Sequence, residues 1–213
     1  MLMPRGIFVA GTDTDAGKTI VAAALVAALG AEYWKPVQSG LHELPGGDSA
    51  VVARLTGRDP ASFPEPAYSF QAALAPDQAA ELEGRSLDPE RIVLPVLDRM
   101  LVVEAAGGLM APLDGRLLMI DLAQRLGLPI VLAARTGLGT INHTLLSLEA
   151  LRHRRLPVAG VILSGPDHPR NEAAIRRLGG VPVLGRIPFL EPLDRTTLAA
   201  AAARLDLSPC KGL

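Results

Sequence analysis

Cysteine is nearly absent: Cys210 is the only one among 213 residues. That excludes an internal disulfide framework and any zinc or iron–sulfur site built from several thiolates. Near the end of the chain, Cys210 reads as an incidental tail residue. No charge sign predominates either, with 21 Lys and Arg against 22 Asp and Glu, which argues against a broad electrostatic footprint on DNA, RNA or an anionic membrane surface. Any polyanion this protein binds is therefore held locally. No uncharged run approaches the ~18–20 residues that a membrane span needs. The opening MLMPRGIFVAGTD turns glycine-rich and acidic too early to supply the apolar stretch of ~7–15 residues of a secretory signal. A cytoplasmic location is expected. The 21 glycines and 18 prolines punctuate the chain instead of forming runs, and no internal repeat is found.

What the chain has is core material. Apolar residues make up 49% and charged residues 20%, enough for one substantial α/β domain over residues 1–213 and no case for disorder. Strands are expected at Ile7–Ala10, Tyr33–Lys35, Leu101–Glu104, Ile130–Ala133, Val158–Leu163 and Val183–Ile187. Most are apolar on both faces, as strands of a parallel sheet covered by helices must be. Helices are expected at Lys18–Leu29, Ser49–Leu55, Glu90–Asp98, Met119–Leu126, Asn142–Arg152, Asn171–Leu178 and Thr197–Arg204, in the alternation that βαβ units require. Asp59–Pro89 is a less regular excursion with a short helix near Asp77–Glu83. In an open parallel sheet the ligand crevice lies at the carboxyl ends of the strands, so the residues just after each strand matter most.

After the first strand comes Gly11-Thr12-Asp13-Thr14-Asp15-Ala16-Gly17-Lys18-Thr19, followed by the apolar helix IVAAALVAAL. Such a loop resembles a P-loop: backbone N–H groups and a helix N-terminus hold phosphate oxygens, the lysine reaches the β and γ phosphates, and the threonine hydroxyl ligates Mg²⁺. The usual spacing G-x-x-x-x-G-K-[ST] would place the first glycine at position 12, where Thr12 stands. Its place at Gly11 instead points to a particular branch of P-loop proteins.

Lysine usage sharpens the reading. Only three lysines accompany 18 arginines, and two of the three, Lys18 and Lys35, stand at strand ends. The sequence keeps a compact ammonium there and uses guanidinium almost everywhere else. Lys35 lies in Tyr33-Trp34-Lys35-Pro36-Val37-Gln38-Ser39-Gly40 and reads as one of these retained point charges, with a surface lysine at a strand end as the alternative. Asp48 fits either an N-cap for the next helix or a metal ligand. Glu104 opens Glu104-Ala105-Ala106-Gly107-Gly108 and is either a Walker B-like carboxylate at Mg²⁺ or a solvated one, while the two glycines let backbone approach a ligand closely. Gly139-Thr140-Ile141-Asn142 before a helix fits an anion site at free N–H groups or ordinary capping. Arg152-His153-Arg154-Arg155 reads as a solvated helix end that offsets the dipole. The four histidines, His42, His143, His153 and His168, have no ligand spacing.

In their order and spacing, GTDTDAGKT, YWKPVQSG, the aspartate after Gly-Gly, VVEAAGG and GLGTINH resemble the dethiobiotin synthetase family over most of the chain. The resemblance implies a P-loop α/β fold with a mostly parallel sheet and helices on both faces. It implies a homodimer with interface sites that joins 7,8-diaminononanoate, CO₂ and ATP with Mg²⁺. Carried over, it places Thr12 to Thr19, Gly107 and Gly108 at the nucleotide, with Thr14, Lys18 and Thr19 at phosphates and metal. Lys35 and Ser39 fall at the reacting carbamate and Asp48 and Glu104 near Mg²⁺, with Ser39, Gly139, Thr140, Ile141 and Asn142 at the substrate. Two positions depart from the family pattern: Asp15 stands where some members have glutamate, and Leu163-Ser164-Gly165-Pro166 replaces an Asn-Asp pair that reads adenine, which leaves the base preference open. A partitioning-type P-loop ATPase switch is the competing reading. Such proteins usually carry a second lysine early in the loop, where this chain has Thr12 and Asp13. An amidotransferring synthetase of the corrinoid pathway would need a further glutaminase domain for which the chain has no room.

Overall fold

The computed structural model describes residues 5–211. Its main sheet joins β1 (Gly6–Gly11), β2 (Glu32–Trp34), β5 (Leu101–Glu104), β6 (Ile130–Arg135), β7 (Val158–Ser164) and β8 (Val183–Ile187). They lie in the order β2-β5-β1-β6-β7-β8, every neighbouring pair parallel. Two short strands, β3 (Val37–Gln38) and β4 (Tyr68–Ser69), pair separately. The helices are α1 (Lys18–Leu29), α2 (Gly47–Thr56), α3 (Pro76–Leu82), α4 (Met119–Leu126), α5 (Thr140–His153), α6 (Pro169–Leu178) and α7 (Arg195–Ala202).

Alternation along the strands divides the core in two. Ile7, Val9, Tyr33, Val102, Val131, Ala133 and Ile162 face a layer with α1, α2 and α7. Phe8, Ala10, Trp34, Val103, Leu132 and Leu163 face the opposite layer with α4, α5 and α6. A strand buried on both faces must be apolar on both, which is why these segments read as continuous hydrophobic runs. Helix α1 is sandwiched between α2 and α7, and its whole middle from Val21 to Val26 is buried. Its sequence is accordingly apolar all round instead of amphipathic. Among the described residues no helix is long and apolar enough to cross a membrane.

Three expectations need correction. No helix forms over Glu90–Asp98: a single 3₁₀ turn at Pro89–Arg91 is followed by irregular chain. Pro95 withholds an N–H from that stretch and its ring opposes a helical turn. Cys210 is fully buried in the α1 layer, so it is a core residue and no loose tail. The basic end of α5 is also more engaged than expected, since Arg154 pairs with Asp121 and Arg152 donates to the carbonyl of Gly179.

Candidate active site

Strand β1 is the middle of the site because β5 and β6 flank it: Val9 lies level with Glu104, and Gly11 with Ala133. The loop leaving β1 rises between the carboxyl ends of those neighbours and enters α1 through Gly17, an N-cap at φ 82° with no side chain to cap the helix. The first N–H groups of α1 are therefore left for an anion. Gly17 also lies against β7, since a Cβ there would come within 2.8 Å of Ser164 Cβ. Lys18 is 5% exposed, and its Nζ donates to the carbonyls of Asp13 at 2.9 Å and Thr14 at 2.7 Å. Burial first, and the nearby Lys35 second, lower its pKa to about 8.

At the mouth of the loop three hard oxygens meet. Thr19 Oγ1 is 2.8 Å from Asp48 Oδ1 and 2.9 Å from Glu104 Oε1. One hydroxyl hydrogen serves one acceptor at a time, so the two carboxylate oxygens compete for it. A hydroxyl with two carboxylates is an incomplete oxygen set of the kind that holds Mg²⁺ together with phosphate oxygens and water. It therefore fits that ion. Among the described residues no cluster of three or more His, Cys, Asp or Glu is placed to hold a metal unaided.

Lys35 closes the cluster, with Nζ 2.6 Å from Asp48 Oδ2 and 3.0 Å from Glu104 Oε1. It is buried at the end of β2 and is no surface lysine. Burial favours its neutral form, but Glu104 and Asp48 outweigh that and raise its pKa. Burial likewise pushes the Asp48 carboxyl up, and the Lys35 charge with hydrogen bonds from Lys35 and Thr19 holds it below the ordinary value. Asp48 is not an N-cap. Gly46 occupies that place, Asp48 sits in the first turn of α2, and its backbone N–H donates to Gln38 Oε1 at 3.0 Å.

These groups border a cavity of about 680 Å³ lined also by Thr14, Asp15, Gly17, Ser39, Ala106 and Gly107. Ser39 Oγ is buried there without a hydrogen-bond partner. The structure does not bring every expected residue to it. Thr12, Asp13, Ala16 and Gly108 do not line the cavity. Gly139 to Asn142 stand apart from it within the same chain; Thr140 is buried with its hydroxyl turned to the Arg135 carbonyl, and Asn142 is exposed.

Sequence reasoning missed two contributors. The far wall is Ala73, Leu74, Ala75 and Pro76, from the irregular excursion. Pairing of β3 with β4, and hydrogen bonds from Phe70 N to Gln38 O and Gly40 N to Ala72 O, bring that wall beside Ser39. The second is Tyr33, whose hydroxyl donates to Glu104 Oε2 at 2.9 Å. Period-two alternation puts Tyr33 on the same side of β2 as Lys35, a signal that could have found it.

A parallel sheet whose central strand feeds a glycine-bounded Gly-Lys-Thr loop into a helix, with a hydroxyl and two carboxylates at its mouth, defines a P-loop nucleotide-binding protein. Solved structures agree on the fold. A ParA family ATPase from Chlorobium tepidum TLS has a TM-score of 0.57 at 15% identity, covering 97% of this chain and 92% of that one. The cell division ATPase MinD of Pyrococcus furiosus gives 0.53 at 17% identity, covering 95% and 98%. The AAA_26 family, described as an AAA domain, matches residues 5–197. Among curated relatives, the ATP-dependent dethiobiotin synthetase of Agrobacterium fabrum is 50% identical over 92% of this chain and 92% of its own length. That of Paramagnetospirillum magneticum is 50% identical over 93% of each. The biotin biosynthesis bifunctional protein BioCD of Bordetella avium is 58% identical over 90% of this chain, which spans 41% of that longer protein. The chain belongs to the family of ATP-dependent dethiobiotin synthetases, which are ATP-dependent ligases.

Proposed function

We propose that this chain, as one catalytic domain in a homodimer, uses ATP, Mg²⁺ and CO₂ to convert 7,8-diaminononanoate into dethiobiotin, ADP and phosphate. The observation that carries the reading is the convergence of Lys18, Thr19, Lys35, Ser39, Asp48 and Glu104 on one cavity. One amine of the substrate takes up CO₂ as a carbamate, and a carbamate oxygen attacks the γ-phosphorus as ADP leaves. The second amine then attacks the carbonyl carbon of that carbamic-phosphoric anhydride, expelling phosphate and closing the ureido ring.

Phosphoryl transfer between two anions needs positioning and neutralised charge more than a strong base. Lys35, kept protonated by two carboxylates, serves as a fixed cation and not as a proton acceptor. Lys18 lies within the loop where phosphate oxygens would be held, and the unpartnered hydroxyl of Ser39 is free to donate to the carbamate. Mg²⁺, held by Thr19, Asp48 and Glu104, would neutralise phosphate charge at the loop's mouth. The α5 N-terminus, remote from the cavity of its own chain, would receive the substrate's carboxylate from a neighbouring subunit.

Phosphate release by the purified protein, with and without diaminononanoate plus bicarbonate, tests the reading. Release should depend on both, and Lys18→Ala should lose it while remaining folded, because removing one such positioned charge costs about 3–4 kcal/mol in the barrier. Hydrolysis indifferent to the diamine would favour a nucleotide switch and overturn the proposal.

A further inference from the structure

Glu104 has two oxygens in two environments. Oε1 faces the cluster, in contact with Thr19 Oγ1 and Lys35 Nζ. Oε2 turns into the core, where its hydrogen-bond donor is the hydroxyl of Tyr33, 2.9 Å away. Both residues are buried, Tyr33 at 0% and Glu104 at 1% exposure, so no solvent replaces a lost donor there. Burial, with Glu104 and Asp48 nearby, keeps the phenol protonated by raising its pKa well above the ordinary value. An ionised carboxylate only accepts, so the phenol O–H is the donor in this bond.

The ring that carries this hydroxyl is itself held. Phe63, at the start of the irregular excursion, packs edge-on against Tyr33 with ring centroids 5.4 Å apart and planes at 60°. The Arg58 guanidinium lies 5.4 Å over the other ring and is fixed by Glu32 at 2.6 Å. Aromatic pairs of this geometry have preferred orientations, so the phenol has little freedom to swing away.

We propose that Tyr33 is a positioning residue for the metal: by occupying Glu104 Oε2 it keeps Oε1 directed at Thr19 and Lys35 and prevents the carboxylate from rotating. Partners that orient a ligating carboxylate are worth about 10–100-fold in metal affinity or activity when removed. This inference rests on the proposed Mg²⁺ role of Glu104, and the test separates the two.

Mn²⁺ binding in the presence of ADP, followed by electron paramagnetic resonance, needs neither the diamine nor turnover. Tyr33→Phe removes one oxygen and keeps the ring; it should weaken Mn²⁺ binding by about tenfold or more and raise the Mg²⁺ concentration for half-maximal rate by a similar factor. In a Glu104→Gln background the same change should add little, because the carboxylate it orients is gone. Phe63→Leu, which keeps the hydroxyl and loosens the ring, should give a smaller loss in the same direction. If Tyr33→Phe only lowers the melting temperature and leaves Mn²⁺ affinity at the wild-type value, the tyrosine is core packing and the inference is overturned. Equal Mn²⁺ binding by wild type and Glu104→Gln would overturn the metal assignment together with it.

Discussion

Lys18 lies across Gly11: a Cβ on that glycine would come within 2.9 Å of Lys18 Cδ and 2.8 Å of the Asp13 carbonyl oxygen. The first glycine of the loop stands one residue earlier than the usual spacing, and this contact explains its identity. The lysine stem runs back over the end of β1, where only a hydrogen fits. Gly11→Ala should push the lysine and the Asp13 peptide out of place. Overpacking of this kind costs about 1–3 kcal/mol, and here the loss should fall on nucleotide binding more than on folding. Fluorescent ADP titration should show an affinity loss of about tenfold or more, given 1.4 kcal/mol per decade. Unchanged affinity would mean that the lysine stem is not confined by β1.

Asp48→Asn and Glu104→Gln preserve shape and remove the charge that a hard cation favours. Each should raise the Mg²⁺ concentration for half-maximal rate, and Asp48→Asn should leave α2 intact because Gly46, not Asp48, is its N-cap. Each change also deprives Lys35 of one of its two carboxylate partners, so the double variant should fold poorly, with a buried ammonium left uncompensated. Circular dichroism melts beside the Mg²⁺ titrations would show both effects. A magnesium dependence identical to wild type in both single variants would remove these carboxylates from the metal site.

How far the site could be read beforehand follows from how local each signal is. The P-loop is a run of nine residues whose glycines, lysine and threonine act through the backbone beside them, and Leu101–Glu104 and Val183–Ile187 form strands with the bounds their apolar runs imply. Lys35, Asp48 and Glu104 were legible as candidates, yet only the family resemblance and no local signal put them in one site, because their union depends on β2 and α2 packing beside β5 and α1. Tyr33 reads as strand filler until Glu104 is seen 71 residues away beneath it. The wall at Ala73–Pro76 carries no chemistry of its own, and only pairing between two-residue strands places it. Glu90–Asp98 shows the reverse failure: a helical pattern of apolar residues outvoted by one proline at its centre.

Cys210 is buried, and burial, with Asp206 nearby, pushes its thiol from 9.0 up to about 11. At pH 8 it should therefore react with a disulfide reagent only as fast as the fold opens, since thiolate and access are both scarce. The folded state holds this proton more tightly than the unfolded chain. The thiol's contribution to stability is thus complete below pH 9 and is lost as pH rises from about 9 to about 11. Denaturant titrations of wild type and Cys210→Ala across that window should converge toward high pH by this contribution. Rapid labelling of the native protein at pH 8 would contradict the buried placement.

The α5 N-terminus offers free N–H groups and the positive end of the helix dipole, yet Asn142 and His143 in its first turn are exposed and lie outside the cavity of their own chain. If this turn serves the substrate carboxylate of a neighbouring subunit, each active site draws on two chains. Asn142→Glu with His143→Glu should then abolish turnover by repelling that carboxylate, while the fold survives because acidic side chains in a first turn suit the dipole. Lys18→Ala is inactive for a different reason, in the other half of the composite site. Dissociating the two inactive preparations and reassociating them together produces mixed dimers that carry one intact site each. Random pairing makes roughly half the dimers mixed, so about a quarter of wild-type activity should return. Mixed dimers confirmed by native mass spectrometry but without activity would confine the whole site to one chain.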